Sequence, residues 1–304
     1  MKLTVAICTW NRATMLRKSL GAFVEMDVPP NLEWELIVVD NNSTDDTELV
    51  INSFASKLPI KYVFEEKQGK SHALNRAVSL ASGDYIIWTD DDAKVTSAWL
   101  NAYAAAFQEW PEASFFGGAV IPWFETEPPS WLRRIVPSVQ GAYALVDFGD
   151  EPIDLTRKKV PHGVNMAIKT SVQRQYEYDT NVGPRPNSQL RGEETALVRS
   201  MIQDGHRGKW TPSAIVRHHV PKERQTLKYL RAFYRGLGEF ESARQPVEAK
   251  GHFRKPLWMW RKAIVSECEY RVKKMTTEPE VWANSLVRSS IAWGRLLGSE
   301  SKLR

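Results

Sequence analysis

Cysteine is scarce in this chain, and the two that occur can do little together. Cys8 and Cys268 lie far apart and flank no metal-ligand spacing, so no disulfide framework is expected, and a reducing compartment is the simplest setting. Long apolar runs are missing too. Residues 3–7 are apolar but are cut off by Asn11 and Arg12, which suits a strand and is too short for a signal-peptide core. The apolar region 114–124 contains Gly117, Gly118 and Pro122 and is too short to span a bilayer. A cytoplasmic protein without a transmembrane anchor is the expectation. Two nucleotide signatures are absent as well. No G-x-G-x-x-G follows the first apolar stretch, where Thr9-Trp10-Asn11-Arg12 stands, which disfavours a dehydrogenase. No G-x-x-x-x-G-K-[ST] occurs, which excludes a P-loop NTPase. There is no internal repeat and no low-complexity tract.

What is present is an ordinary globular composition, 42% hydrophobic and 25% charged over 304 residues, enough for one large domain or a domain with an appendage. Charge is unevenly placed. From residue 222 onward there are 18 Lys and Arg against 9 Asp and Glu, a net of +9, so residues 1–221 carry −4 of the overall +5. The basic part also holds Trp258, Trp260, Trp282 and Trp293. Basic charge with tryptophan suits an anionic membrane surface; it equally suits nucleic acid, a dimer contact or a solvated helix face. No base-reading motif accompanies it, so nucleic acid is not an expected partner.

The first part alternates strand and helix patterns: strands at 3–9, 35–39, 60–64 and 85–89, and helices at 12–24, from 43 or 44 to 56, and at 70–81. A helix at 97–110 and a strand near 114–121 follow. Repeated β-α-β units with short connections predict a parallel sheet covered by helices. Residues 122–161, punctuated by Pro122, Pro128, Pro129, Pro137 and Pro152, read as a long irregular stretch of the functional or mobile kind. Regularity returns with a strand at 164–168, a helix at 193–204 and a strand at 214–217. Three helices end the chain, at 227–240, 256–274 and 279–297.

The strand Tyr85-Ile86-Ile87-Trp88-Thr89 runs straight into Asp90-Asp91-Asp92. Three adjacent carboxylates repel one another, and a fold that gathers them at a strand end usually supplies a cation. Hard oxygen ligands suit Mg²⁺ or Mn²⁺, whose remaining positions phosphate oxygens often fill. Open α/β sheets bind ligands at the carboxyl ends of their strands. The alternative is an Asp-rich turn that caps a helix after Lys94. Asp40 ends the second strand in the same way, where a carboxylate can accept from a ribose hydroxyl or a base N–H.

With these residues the chain resembles glycosyltransferase family 2. The matching pieces run from Thr9-Trp10-Asn11-Arg12 and Asp40 through Gly69-Lys70-Ser71 and Ala81-Ser82-Gly83-Asp84 to the Asp triplet. Gly163-Val164-Asn165-Met166-Ala167, Arg191-Gly192-Glu193-Glu194 and Val216-Arg217-His218 complete them. Each piece alone is weak; their order and spacing together are specific. The resemblance implies an α/β GT-A (Rossmann-like) domain over residues 1–221, a mostly parallel sheet flanked by helices, with a basic helical region at 222–304. It implies an inverting glycosyltransferase with a nucleotide-diphospho-sugar donor, a UDP-sugar favoured, and Mn²⁺ or Mg²⁺. The acceptor it implies is a hydroxyl of a surface glycan or lipid-linked oligosaccharide, reached at the inner face of the plasma membrane.

Carried over residue by residue, Asp40 would bind the nucleoside, with Thr9 and Arg12 shaping the same pocket. Asp90 would hold ribose or a metal-bound water, Asp91 falls with the donor-binding residues, and Lys70 would reach a phosphate. Asp92 and His218 would ligate the metal, with His219, which lacks the match, as a control. Glu194 would be the catalytic base; the family usually has Glu-Asp here, which leaves Glu193 as the alternative. Gly192 would let this loop approach the sugar. Asn165 would meet the acceptor, and Trp123, Trp131 and Tyr143 are candidates for stacking on sugar faces. Two rivals remain: a sugar nucleotidyltransferase, whose glycine-rich basic loop is not seen, and a non-catalytic sugar-nucleotide or glycan-binding module.

Overall fold

A computed structural model describes residues 1–180, 193–244 and 255–297. Two compact units divide the chain: Met1–Trp123 with Leu145–His219, and Phe124–Ala144 with Val220–Arg304.

The first unit is built on an eight-stranded sheet of order β3-β2-β1-β4-β7-β6-β8-β5. Its strands are β1 (Lys2–Thr9), β2 (Glu33–Asp40), β3 (Ile60–Phe64), β4 (Tyr85–Asp90), β5 (Ala93–Val95), β6 (Phe115–Phe124), β7 (Met166–Lys169) and β8 (Gly208–Val220). Among the described residues its helices include α1 (Ala13–Val24), α2 (Thr47–Asn52), α3 (Lys70–Leu80), α4 (Trp99–Glu109) and the short α6 (Thr170–Gln173). Helix α7 (Glu193–Gln203) precedes β8, and α5 (Ser130–Val139) lies in the second unit.

Strands β1 to β4 pair in parallel. Leu3, Val5, Ala6, Ile7 and Leu36 to Val39 are fully buried, the near-continuous apolar run of a strand covered on both faces. Each such side chain contributes about 1.5–3 kcal/mol on burial, so these strand ends are firm mounts for polar side chains. The other half of the sheet is antiparallel: β7 pairs with β4 and β6, and β5 with β8. The sheet is thus mixed, parallel where β-α-β units were legible.

Three elements differ from expectation. β5 follows the Asp triplet directly, and the next helix starts only at Trp99, so Asp90 to Asp92 do not cap it. β8 is far longer than the strand predicted at 214–217. Within the stretch expected to be irregular, α5 forms, burying Leu132, Ile135 and Val139 on one face despite Pro137.

The second unit holds α5, a 3₁₀ turn at Gln140–Tyr143, α8 (Leu227–Arg244), α9 (Leu257–Thr276) and α10 (Pro279–Leu297). α10 packs on α8, α9 and α5. Gly238 and Gly294 let α8 and α10 touch backbone to backbone: a Cβ at Gly294 would sit 2.0 Å from the Arg235 carbonyl oxygen, and one at Gly238 2.2 Å from that of Ile291. Met259 and Ala263 of α9 pack on Ala292 and Leu296 of α10. Glu267, on α9, accepts from Arg231 of α8 at 2.6 Å and from Ser289 of α10 at 2.7 Å.

Candidate active site

Parallel register brings the site together. Thr9 lies opposite Asp40 and Cys8 opposite Asp90, so β1, β2 and β4 deliver their last residues to one level. Between β1 and β4 the strand order reverses, which is where open α/β sheets bind ligands. After Asp90 the chain crosses to the opposite end of the strand order, where Ala93 of β5 pairs with His218 of β8. That pairing places Nε2 of His218 3.2 Å from Oδ1 of Asp92, and the His219 N–H donates to the Asp92 carbonyl at 2.9 Å.

One ligand atom from each of Asp90, Asp92 and His218 lies within 4.8 Å of the others. Two hard carboxylates and an imidazole on such a triangle fit a small divalent cation such as Mn²⁺ or Mg²⁺. Cys8 is a poor additional ligand, because burial pushes its thiol well up and the thiolate is the binding form.

The middle carboxylate is committed elsewhere. Asp91 is buried, accepting from Thr9 Oγ1 at 2.8 Å and from Arg12 Nη1 at 2.7 Å, while its carbonyl accepts from Ser19 Oγ at 2.7 Å. Arg12 also donates to Oδ2 of Asp92 at 2.9 Å. Burial pushes the Asp91 carboxyl up to about 6, against the pull of Arg12. Burial would also raise Asp92, but the hydrogen bond and charge of His218, with Arg12, hold it below the usual carboxylate range. Thr9 and Arg12 therefore brace the Asp triplet and do not turn toward Asp40.

Asp40 is buried at the end of β2, accepting from the Ser43 N–H at 2.9 Å and from Tyr62 Oη at 3.3 Å. Next to it, Asn41 donates to the carbonyls of Glu65 and Lys67 and accepts from the Gly69 N–H at 2.7 Å, which fixes the turn into α3. Lys70 opens that helix. Its Nζ lies 3.2 Å from Asp90 Oδ1 and 2.7 Å from Glu194 Oε1, so it bridges the Asp triplet and the first turn of α7. Tyr62 thus partners Asp40 while Asn41 holds the neighbouring turn, and neither had a motif to announce it; "Asn-Asn-Ser" reads as a generic turn.

Several expectations change here. Asn165 does not face an acceptor. It is fully buried, accepting from Trp99 Nε1 at 2.9 Å and Tyr103 Oη at 2.8 Å and donating to the carbonyls of Ala119 and Ala214. All four of its hydrogen-bonding positions are taken within the core. Tyr143 is buried against Tyr229, and Trp131 packs on Trp282, so both are packing residues of the second unit. Trp123 is half-buried, with the Lys94 ammonium 4.1 Å from its ring and the His219 ring at 4.9 Å. Arg191 and Gly192 lie outside the described residues, as does the side chain of Glu193.

The carboxyl ends of β1, β2 and β4 thus carry an acidic cluster that a histidine from β8 joins. The family model for glycosyl transferase family 2 matches residues 4–174, over half of the chain, and the chain belongs to that family. It is 24% identical over 248 residues to a glucosyl-dolichyl phosphate glucuronosyltransferase of Haloferax volcanii, covering 79% of this chain and 76% of that protein. It is 32% identical over 123 residues to a GalNAc(5)-diNAcBac-PP-undecaprenol beta-1,3-glucosyltransferase of Campylobacter jejuni, covering 40% of this chain and 38% of the relative. Among solved structures, the mannosyltransferase PcManGT of Pyrobaculum calidifontis, in complex with GDP-Man and Mn²⁺, is similar with a TM-score of 0.59. The likeness covers 97% of this chain and 87% of that one at 20% identity, and shows the fold.

Proposed function

We propose that this glycosyltransferase is inverting and metal-dependent, moving a sugar from a nucleoside diphosphate to a hydroxyl of a glycan or lipid-linked acceptor. One observation carries the reading: Asp90, Asp92 and His218 gather at the carboxyl edge of the sheet, with Glu194 joined to them through Lys70. Asp92 and His218 would hold the divalent cation, with Asp90 beside them for a ribose hydroxyl or a water. When bound, the cation offsets the charge that builds on the departing diphosphate. Asp40 receives the nucleoside. Thr9, Arg12 and Asp91 keep Asp92 in place.

Glu194 takes the proton of the acceptor hydroxyl. The acceptor oxygen forms its bond to the anomeric carbon on the face opposite the diphosphate, and the bond to the diphosphate breaks with its electron pair staying on the phosphate oxygen. Configuration inverts through an oxocarbenium-like transition state. Lys70, ion-paired to Asp90 and Glu194, turns to a donor phosphate when one arrives. The GDP-Man and Mn²⁺ named for the mannosyltransferase PcManGT and the lipid-linked acceptors named for two relatives support the cofactor and acceptor classes. A cytoplasmic enzyme working at the inner face of the plasma membrane completes the reading.

Release of nucleoside diphosphate from UDP- and GDP-sugars, with Mn²⁺, with Mg²⁺ and with chelator, tests it. Turnover is expected only with metal, and Glu194→Gln should lower it by about 10²–10⁴-fold. Metal-dependent donor binding without turnover on any acceptor would leave the non-catalytic binding module instead.

A further inference from the structure

Helix α9 is apolar on two opposite faces. Met259, Ala263 and Tyr270 point into the helical unit and are buried. At 3.6 residues per turn the opposite side carries Leu257, Trp258, Ile264, Val265, Val272 and Met275. These are 65%, 56%, 50%, 57%, 60% and 86% exposed. Single exposed apolar side chains are ordinary, but six on one stripe of a 20-residue helix mark an interaction surface.

The charges of α9 say what it meets. Five basic residues, Arg261, Lys262, Arg271, Lys273 and Lys274, face only two acids, Glu267 and Glu269. Glu267 is buried and held by Arg231, Arg271 and Ser289. Glu269 pairs with Lys273 and Arg288. Arg261 and Lys262 are exposed and form no ion pair among the described residues. Lys274 falls on the inner side by the same helical count, its ammonium 5.9 Å from the Tyr270 ring. The outer face is therefore an apolar stripe with Arg261 in it and Lys262 beside it, and among the described residues no acid pairs with either. A second copy of the same face would bury those cations against one another, which is costly without acidic partners. An anionic lipid surface satisfies both: acyl boundary for the stripe and headgroup charge for the cations.

We propose that the outer face of α9 docks this protein peripherally on anionic membranes. Among the described residues no helix is long and apolar enough to cross a bilayer, so the contact lies in the interface plane. The proposal deepens the lipid-linked acceptor reading and rests on it for its purpose, but the two fail in different assays.

The test is co-flotation of the full chain with phosphatidylcholine vesicles, with and without phosphatidylglycerol, alongside donor turnover in solution. Wild type should float with the anionic vesicles alone and be released by salt. Arg261→Gln/Lys262→Gln should weaken that binding by about thirtyfold, and Val265→Glu/Val272→Glu should abolish it. Both variants should keep the wild-type melting temperature and solution turnover, which separates lost docking from lost folding. Equal binding to neutral vesicles, or none to either, overturns the proposal. So does a wild-type dimer that Val265→Glu/Val272→Glu converts to monomer, because the face then joins two copies. Docking without turnover of any donor would sink the glycosyl-transfer reading and leave the membrane surface standing.

Discussion

Gly163 lies directly against Glu194: a methyl group on Gly163 would stand 2.5 Å from Glu194 Oε1 and 2.7 Å from its Cγ. The loop before β7 and the start of α7 are thus packed so that hydrogen alone fits beneath the proposed base. Gly163→Ala should then act on position and not on folding, because what must yield is the Glu194 side chain from Cγ outward and no backbone atom. The expected outcome is a melting temperature within about 2 °C of wild type, consistent with a change under about 0.5 kcal/mol, and kcat reduced at least tenfold, since about 1 Å of misplacement can cost 10²-fold. Unchanged kcat would show that Glu194 has no positional role.

His218 and His219 are neighbours on β8 with different surroundings. His218 meets Asp92 through Nε2 at 3.2 Å, whereas the His219 ring packs on Trp123. His218→Ala should weaken the Mn²⁺-dependent thermal shift at least about tenfold in metal concentration, the lower end of what even outer-shell partners cost. His219→Ala should leave that metal response in place while lowering stability for lost packing. Identical metal responses in the two variants would remove His218 from the ligand set.

Much of this was legible because parallel strands covered on both faces write themselves as apolar runs: β1, β2, β3 and β4 stand within two residues of where the pattern put them. The carboxylates at their ends were legible for the same reason, since a polar residue that stops a buried strand stands out. Long-range pairing is not local information. Nothing in Ala93-Lys94-Val95 shows that it crosses to pair with β8, nor that Thr9 and Arg12 turn to Asp91. Asn165 was misread because a buried amide with four internal partners and a sugar-binding amide look alike in sequence. The helix α5 was hidden by Pro129 and Pro137, although Leu132, Ile135 and Val139 carry its period.

Asn165 therefore makes a prediction about folding. Asn165→Ala would strand Trp99 Nε1, Tyr103 Oη and the carbonyls of Ala119 and Ala214. Each buried polar group left unmade costs about 1–3 kcal/mol. A loss of more than about 3 kcal/mol is expected by denaturant titration, with KM for a sugar acceptor unchanged in whatever enzyme remains folded. A stable variant with a raised acceptor KM would return Asn165 to the acceptor site.

Glu267 should contribute to the pH response of the helical unit. Burial alone would raise its carboxyl, but hydrogen bonds from Ser289, Arg231 and Arg271 leave it below the usual range. A carboxylate with a depressed folded pKa stabilises the fold above its unfolded value, about 4.3, and loses that contribution as pH falls through the folded value. Glu267→Gln should cost about 1–2 kcal/mol at neutral pH, a value discounted because Arg271 is 74% exposed. The gap between wild type and variant should hold from about pH 8 to pH 5 and close below about pH 4. Melting temperatures of both proteins across that range check it. A gap that widens toward acid would mean that Glu267 is protonated in the folded chain, and the three donors around it would then have to be satisfied in another way.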